Sequence, residues 1–308
     1  MHISIAGRLG SGKSTICNIL NAKYGYQIYS TGEIHREIAK QQNVSTLEMN
    51  KLMTKDTGHD FNIDDAVTKI SIDKSGETII FDSRMAWKFA QNSFKVFVVV
   101  DPLVAATRVM QSPRGQEEVY TGVEDARQKL IERSEVENER FKQLYHVDNF
   151  DYRNYNLVID STYASPQEMA NMVYEKYLTY VQAPAGGETC DILLAPASLF
   201  PLKSIRDIDP AVVANYRANK TYETKPIAMA VADGYHFIVD GHHRMLAAAL
   251  DKAPFVHVTL ANANVADKAQ AVGITAAHDF EKAGHFTYAS YPGIYNNQPI
   301  TSIQEELC

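Results

Sequence analysis

Cysteine is scarce in this chain. Its 308 residues include three, Cys17, Cys190 and Cys308, far apart and without a C-x-x-C pair. That spacing excludes a disulfide framework and a cysteine-rich zinc site, and it makes reduced thiols the expectation. Long apolar runs are also missing, and none approaches the roughly 20 residues that a membrane-spanning helix needs. The apolar opening HISIA (2–6) leads straight into a glycine-rich loop, without the h-region and cleavage site of a secretory signal. A cytoplasmic protein with no membrane partner is therefore expected. Positive charge is in deficit, with 30 Lys and Arg against 37 Asp and Glu and a net charge of −7. Such a balance disfavours nucleic acid as a partner, because phosphate contacts need clustered basic side chains. A local basic pocket stays compatible with it.

The chain is long enough for two domains, each with its own core. Over the first 180 residues, short runs rich in Val, Ile and Tyr alternate with helical stretches. The runs are HISIA (2–6), YQIYS (26–30), TIIFD (78–82), KVFVVVD (95–101) and NLVID (156–160). The clearest helices lie at 13–24, stopped by Gly25, at 123–145 and at 169–181. Continuous apolar strands with helices between them predict a parallel sheet covered on both faces. QAPAGGETC, rich in Ala, Gly and Pro, breaks this pattern, and residues 182–189 read as a linker. From 190 to about 262 the order changes. An extended segment is followed by a helix at 209–219 with Asp209 as its cap and Pro210 in its first turn. A hairpin around Asp233-Gly234, a helix after Gly241 and a strand at 255–260 complete a small mixed α/β unit. Residues 263–308 show no clear periodicity.

Between the first strand and first helix stands GRLGSGKST, which fits G-x-x-x-x-G-K-[ST]. Glycines at 7, 10 and 12 let the backbone curl so that N–H groups face a polyphosphate, and the helix N-terminus adds partial positive charge. Lys13 is expected to reach the β and γ phosphates of ATP, and the Ser14 hydroxyl to ligate Mg²⁺. The whole loop, Gly7, Arg8, Leu9, Gly10, Ser11, Gly12, Lys13, Ser14 and Thr15, forms the candidate ATP site. Further candidates fall at the carboxyl edge of the expected sheet, where ligands bind in such folds. Thr31, Gly32 and Arg36 follow the second strand, and Asp82 and Arg84 end the third. On the long helix, Arg133, Glu137 and Arg140 are spaced to share one face. A solvated salt-bridge ladder would have the same spacing. Several arginines facing a nucleotide cradle instead suit phosphoryl transfer, which is mostly positioning and charge neutralisation.

These segments, with IERSEVENERFKQLYHVD and YNLVIDS, resemble in order those of the archaeal-type cytidylate kinases, P-loop nucleoside monophosphate kinases, over residues 1–180. The resemblance implies an α/β fold with a five-stranded parallel sheet and flanking helices. It implies ATP as donor, Mg²⁺ as cofactor and a CMP-like acceptor. Lys13, Arg84, Arg133 and Arg140 become the candidate catalytic residues. Thr31, Arg36, Asp82, Arg84 and Glu137 become the candidate acceptor site. Arg108 and Arg114 are candidate lid arginines.

A second phosphate-type turn follows at VDGHHRMLAAA. Gly241 permits close approach, and His242, His243 and Arg244 sit at a helix N-terminus, where dipole and guanidinium address one anion. A surface histidine pair would look the same, and a zinc site lacks the spacing. The stretch resembles the ParB/sulfiredoxin-like fold, in its DGHHR branch that includes free serine kinases. The resemblance implies a second nucleotide or phosphate site at Asp240, Gly241, His242, His243 and Arg244, with Glu223 and Lys225 as weaker candidates. Three functions compete on the sequence: a CMP-like monophosphate kinase with a second nucleotide domain, a small-molecule hydroxyl kinase acting through DGHHR, and a nucleotide-gated binding module. All three take nucleotide or small-molecule partners. Oligomeric state is not legible.

Overall fold

A computed structural model describes residues 1–31, 44, 48, 58–111, 120–183, 190–201, 208–232, 235–261, 294–295 and 298–299. The chain divides into two compact units, Met1–Cys190 and Asp191–Cys308. Arg36, Gly32, Arg114, Cys308, the Asp233-Gly234 turn, most of the expected linker and nearly all of 263–308 lie outside the described residues.

In the first unit five strands run β1 (His2–Gly7), β2 (Gln27–Ser30), β3 (Ile79–Asp82), β4 (Ser93–Val99) and β5 (Leu157–Asp160). Their order is β2-β3-β1-β4-β5, and every pairing is parallel. All residues of β1, β3 and β5 are buried, which explains why they read as unbroken apolar runs rather than alternating ones. Helices α1 (Lys13–Tyr24), α2 (Gly58–Asp73), α3 (Ala86–Phe89), α4 (Pro102–Gln111), α5 (Val123–Tyr145) and α6 (Pro166–Gln182) accompany the sheet.

The punctuation works as the residue types dictate. Gly25 ends α1 at φ 72°, with its N–H on the Asn21 carbonyl. Helix α6 starts earlier than its apolar periodicity indicates, because Ser165 and Glu168 form a reciprocal capping box and Pro166 opens the first turn. The same helix extends to Gln182, so the expected linker loses its first residue to α6. Tyr24 of α1 stacks on Tyr174 of α6 at 3.6 Å between ring centroids, locking the two helices together. The ends of β4 also shift from the expected 95–101 to 93–99, because Pro102 starts α4 after an Asp101 carboxylate that accepts the N–H groups of Leu103 and Val104.

The second unit holds β6 (Asp191–Leu194), β7 (Leu199–Pro201), β8 (Ile227–Ala232), β9 (Tyr235–Asp240) and β10 (Val256–Leu260). Their order is β6-β10-β8-β9-β7, with β6–β10 and β8–β9 antiparallel and the other two pairings parallel. Helices α7 (Pro210–Ala218), α8 (Thr221–Thr224) and α9 (His242–Leu250) complete it. Asp209 caps α7 as its position before Pro210 indicates, accepting the Ala211 N–H. Met245, Leu246, Ala247 and Ala248 of α9 are all buried.

Candidate functional site

The loop after β1 is built by glycine where nothing else fits. Gly7 sits at φ 147°, and a Cβ there would lie 2.2 Å from the Val98 carbonyl oxygen of β4. Gly10, at φ 74°, would set a Cβ 2.8 Å from the Ala105 side chain of α4. Gly12, at φ 82°, is the N-cap of α1 and supplies no side-chain cap to the helix's first turn. The loop is thus drawn over the end of β4 and the start of α4, and the Arg8 N–H bonds the Val98 carbonyl at 2.9 Å. Leu9 packs into the core cluster formed by Val100, Ala105, Ala106 and Leu130.

Three side chains face the loop's polar business. Lys13 Nζ donates to the carbonyls of Gly7 at 3.2 Å and Arg8 at 2.9 Å, so the ammonium lies across the curl. Ser11 Oγ is buried with no hydrogen-bond partner in the protein. Such an orphan hydroxyl just ahead of a helix start without a side-chain cap fits an anion cradle. Ser14 Oγ donates to Asp82 Oδ2 at 2.7 Å, joining the first turn of α1 to the end of β3. A hydroxyl beside a carboxylate is the oxygen chemistry that a hard divalent cation takes. Asp82, read from sequence as part of the acceptor site, therefore stands with the loop. Arg8 turns aside, its guanidinium carbon 3.5 Å from the Phe150 ring centroid. Thr15 is exposed on α1, and Thr31 is buried directly after β2.

The second half of the site is a cluster of buried charge on α5. Arg133, Glu137 and Arg140 are 5%, 2% and 4% exposed, so the spacing marks an inward face and not a solvated ladder. Glu137 divides its two oxygens: Oε2 lies 2.7 Å from Arg84 Nε, and Oε1 lies 3.2 Å from Arg133 Nε. Burial pulls the Arg84 guanidinium below its ordinary value; Glu137 raises it again, while Arg133 and Arg140 push it down. It stays charged, as guanidinium groups do in proteins. One buried carboxylate thus serves two guanidiniums, with the Arg140 charge close enough to act on Arg84, and this concentration of positive charge suits a bound anion. Arg108, expected in a lid, instead donates to Ser161 Oγ and to the Ser161 and Thr162 carbonyls at the end of β5.

The family model for the cytidylate kinase-like family matches residues 2–163. The chain belongs to the cytidylate kinase-like family. Among curated relatives, the cytidylate kinase of Thermoplasma acidophilum is 30% identical over 55% of this chain and 88% of its own length. That of Methanosarcina mazei is 32% identical over 52% of this chain and 87% of its own. That of Sulfolobus acidocaldarius is 31% identical over 56% and 92%. This cytidylate kinase-like chain is an ATP-dependent phosphotransferase of the nucleoside monophosphate kinase class, carried by its first unit. Among the described residues no helix is long and apolar enough to cross a membrane. Nor do they contain a group of three or more His, Cys, Asp and Glu placed for a metal.

Reading the sequence missed three contributors to the site's frame: Trp87, Asn149 and Phe150. Only Trp87 carried a signal, as the single tryptophan of the chain within the matched segment FDSRMAW.

In the second unit, Gly241 at φ 106° is the N-cap of α9 and provides no side-chain cap. His243 Nε2 accepts the Asp209 N–H at 3.0 Å, which fixes the proton of that neutral ring on Nδ1. Arg244 donates to the Pro226 carbonyl and to Asp240 Oδ2, both at 3.1 Å. His242 Nε2 and Arg244 Nε are buried with no partner. Burial lowers His242 to about 4, so its ring is neutral at physiological pH. Glu223 and Lys225 flank the end of α8, ahead of β8.

Proposed function

We propose that the first unit transfers the γ-phosphoryl of ATP to a phosphate oxygen of a CMP-like nucleoside monophosphate. The bond from Pγ to the ADP oxygen breaks and a bond from Pγ to the acceptor phosphate forms. The loop Gly7–Thr15 holds the donor phosphates, with Lys13 as its cation. Ser14 and Asp82 would hold Mg²⁺, which would neutralise donor phosphate charge. Arg84, Arg133 and Arg140 receive the acceptor phosphate and the charge that moves between the two anions, steadied by Glu137. Thr31 and Arg36 belong to the acceptor side. The observation that carries this reading is the sharing of one buried carboxylate by arginines from two separate segments. The names of the relatives support cytidine as the base. Incubating the full protein with γ-labelled ATP and a panel of nucleoside monophosphates and hydroxy amino acids tests it. Label is expected in a pyrimidine nucleoside diphosphate and not with Lys13→Ala; label in an amino acid would reject it.

We also propose that the second unit, with its ParB/sulfiredoxin-like turn, binds a nucleotide or phosphate at Asp240, Gly241, His242, His243 and Arg244. The uncapped start of α9 and the two orphan nitrogens support an anion there. Calorimetric titration of nucleotide into the Lys13→Ala chain, with and without Arg244→Ala, checks it. Binding that survives Arg244→Ala unchanged would reject the site.

A further inference from the structure

Arg84 and Glu137 come from different elements, so their 2.7 Å contact depends on what fixes the β3–α3 segment against α5. A salt bridge between two long side chains does not set the spacing of two backbones; something shorter must. Three residues after Arg84, the indole Nε1 of Trp87 donates to Asn149 Oδ1 at 2.6 Å. The same Oδ1 and the Asn149 carbonyl both accept from Tyr155 OH at 2.8 Å, just ahead of β5. Asn149 N donates to Oδ1 of Asn138, the residue beside Glu137, at 2.8 Å. Asn138 Nδ2 in turn holds Asp148 Oδ1 at 3.0 Å. Trp87, Asn138, Asn149 and Tyr155 are 6%, 5%, 3% and 2% exposed. The turn that carries Asn149 also carries Phe150, on which Arg8 of the phosphate loop stacks.

The turn at Asn149 therefore ties together the three pieces that form the site: the Asn149 side chain holds Trp87 of the Arg84 segment, its backbone N–H holds Asn138 of the Arg133–Glu137–Arg140 helix, and the adjacent Phe150 ring meets Arg8 of the phosphate loop. We infer that Asn149 is a positioning residue for phosphoryl transfer, holding Arg84 and Glu137 in register through its bonds to Trp87 and to the Asn138 side chain. The inference rests on the phosphotransferase reading above. Asn149 touches no reacting group. It acts through the distance between two guanidinium-bearing segments, and misplacement of about 1 Å costs on the order of 100-fold in rate. Because its members are buried, the network is shielded from bulk solvent, which strengthens each of its bonds.

The test uses the full chain and steady-state transfer from ATP to CMP. Asn149→Leu keeps the branched heavy-atom skeleton and removes the acceptor; Asn149→Asp keeps an acceptor for Trp87 and Tyr155. Asn149→Leu is expected to lower kcat about 10-fold to 100-fold with KM for ATP within about twofold. Asn149→Asp should recover most of kcat. Because Trp87 is the only tryptophan, its emission should shift in Asn149→Leu and stay near wild type in Asn149→Asp. Trp87→Phe removes the other end of the clip, and the double variant Trp87→Phe/Asn149→Leu should be no slower than the worse single. A folded Asn149→Leu with wild-type kcat, or effects that simply add in the double variant, would overturn the inference. Should Asn149→Leu fail to fold, Trp87→Phe decides alone: reduced kcat at unchanged KM supports the clip, and wild-type kcat overturns it. Absence of transfer by the wild-type chain would instead refute the phosphotransferase reading.

Discussion

Glu137 is the residue on which the acceptor half of the site turns. Its two oxygens bind guanidiniums from two elements, and its side chain is 3% exposed. Glu137→Gln preserves shape while removing the carboxylate shared by Arg84 and Arg133. Breaking a wholly buried pair costs about 3–5 kcal/mol; Arg84 is 23% exposed, so solvent screening reduces the effect here. A lowered melting temperature together with lowered kcat is expected, measured by calorimetry and by coupled assay. A variant as stable as wild type would show that the cluster is solvated. His242 makes a second, independent prediction at this scale. Its value in the folded chain, about 4, lies below the ordinary 6.5, so folding favours the neutral ring. Its contribution to stability is complete above about 6.5 and is lost as pH falls toward 4. Replacing it with Phe should flatten the acid side of the stability profile of the second unit, followed by denaturant melts from pH 7 to 4.

At the scale of elements, the phosphate loop is a packing solution as much as a binding one. Gly10→Ala would drive a methyl into Ala105 of α4 while forcing an L-residue to φ 74°. Gly12→Ala meets nothing within 4 Å and bears only the conformational penalty, about 1 kcal/mol. ATP affinity, read by titration, should therefore fall further for Gly10→Ala than for Gly12→Ala; the reverse order would mean that the loop does not rest on α4. Much of this was legible beforehand. Four strands of the first unit were readable because parallel strands buried on both faces leave continuous apolar runs; β2, a part-exposed edge strand, was readable only from its Ile and Tyr. The long helix α5 was readable as an unbroken helical stretch over 123–145, and the loop from its glycines. The short helix α3 was not, since four residues carry no period. Helix α4 escaped notice because DPLVAATR reads as well for a loop as for a helix. The Asn149 clip was invisible because its members are scattered from 87 to 155 and asparagine in a polar turn has no pattern. The pairing of Asp82 with Ser14 needed the sheet order, in which β3 lies beside β1.

Across the whole molecule, two separate units each present a glycine in the left-handed region at the start of a helix, at Gly12 and Gly241. The physical reason is shared: an uncapped first turn leaves N–H groups for an anion. Their surroundings differ. The first site adds buried arginines around a carboxylate, which suits moving a phosphoryl group; the proposed second site would add two histidines and an arginine paired with Asp240, which suits holding an anion still. Arg244→Ala in the full chain is accordingly expected to weaken nucleotide binding in the second unit and leave the rate of CMP phosphorylation within about twofold, a difference too small to count as lost transition-state stabilisation. A large fall in that rate would mean that the second unit takes part in the transfer. The central claim is that the guanidiniums gathered on α5 and at the end of β3 stabilise charge in transit between two bound anions. The most direct test is the steady-state kinetics of Arg133→Ala with ATP and CMP. The account predicts a fall in kcat of about 10²–10³-fold; a change confined to KM, with kcat intact, would contradict it.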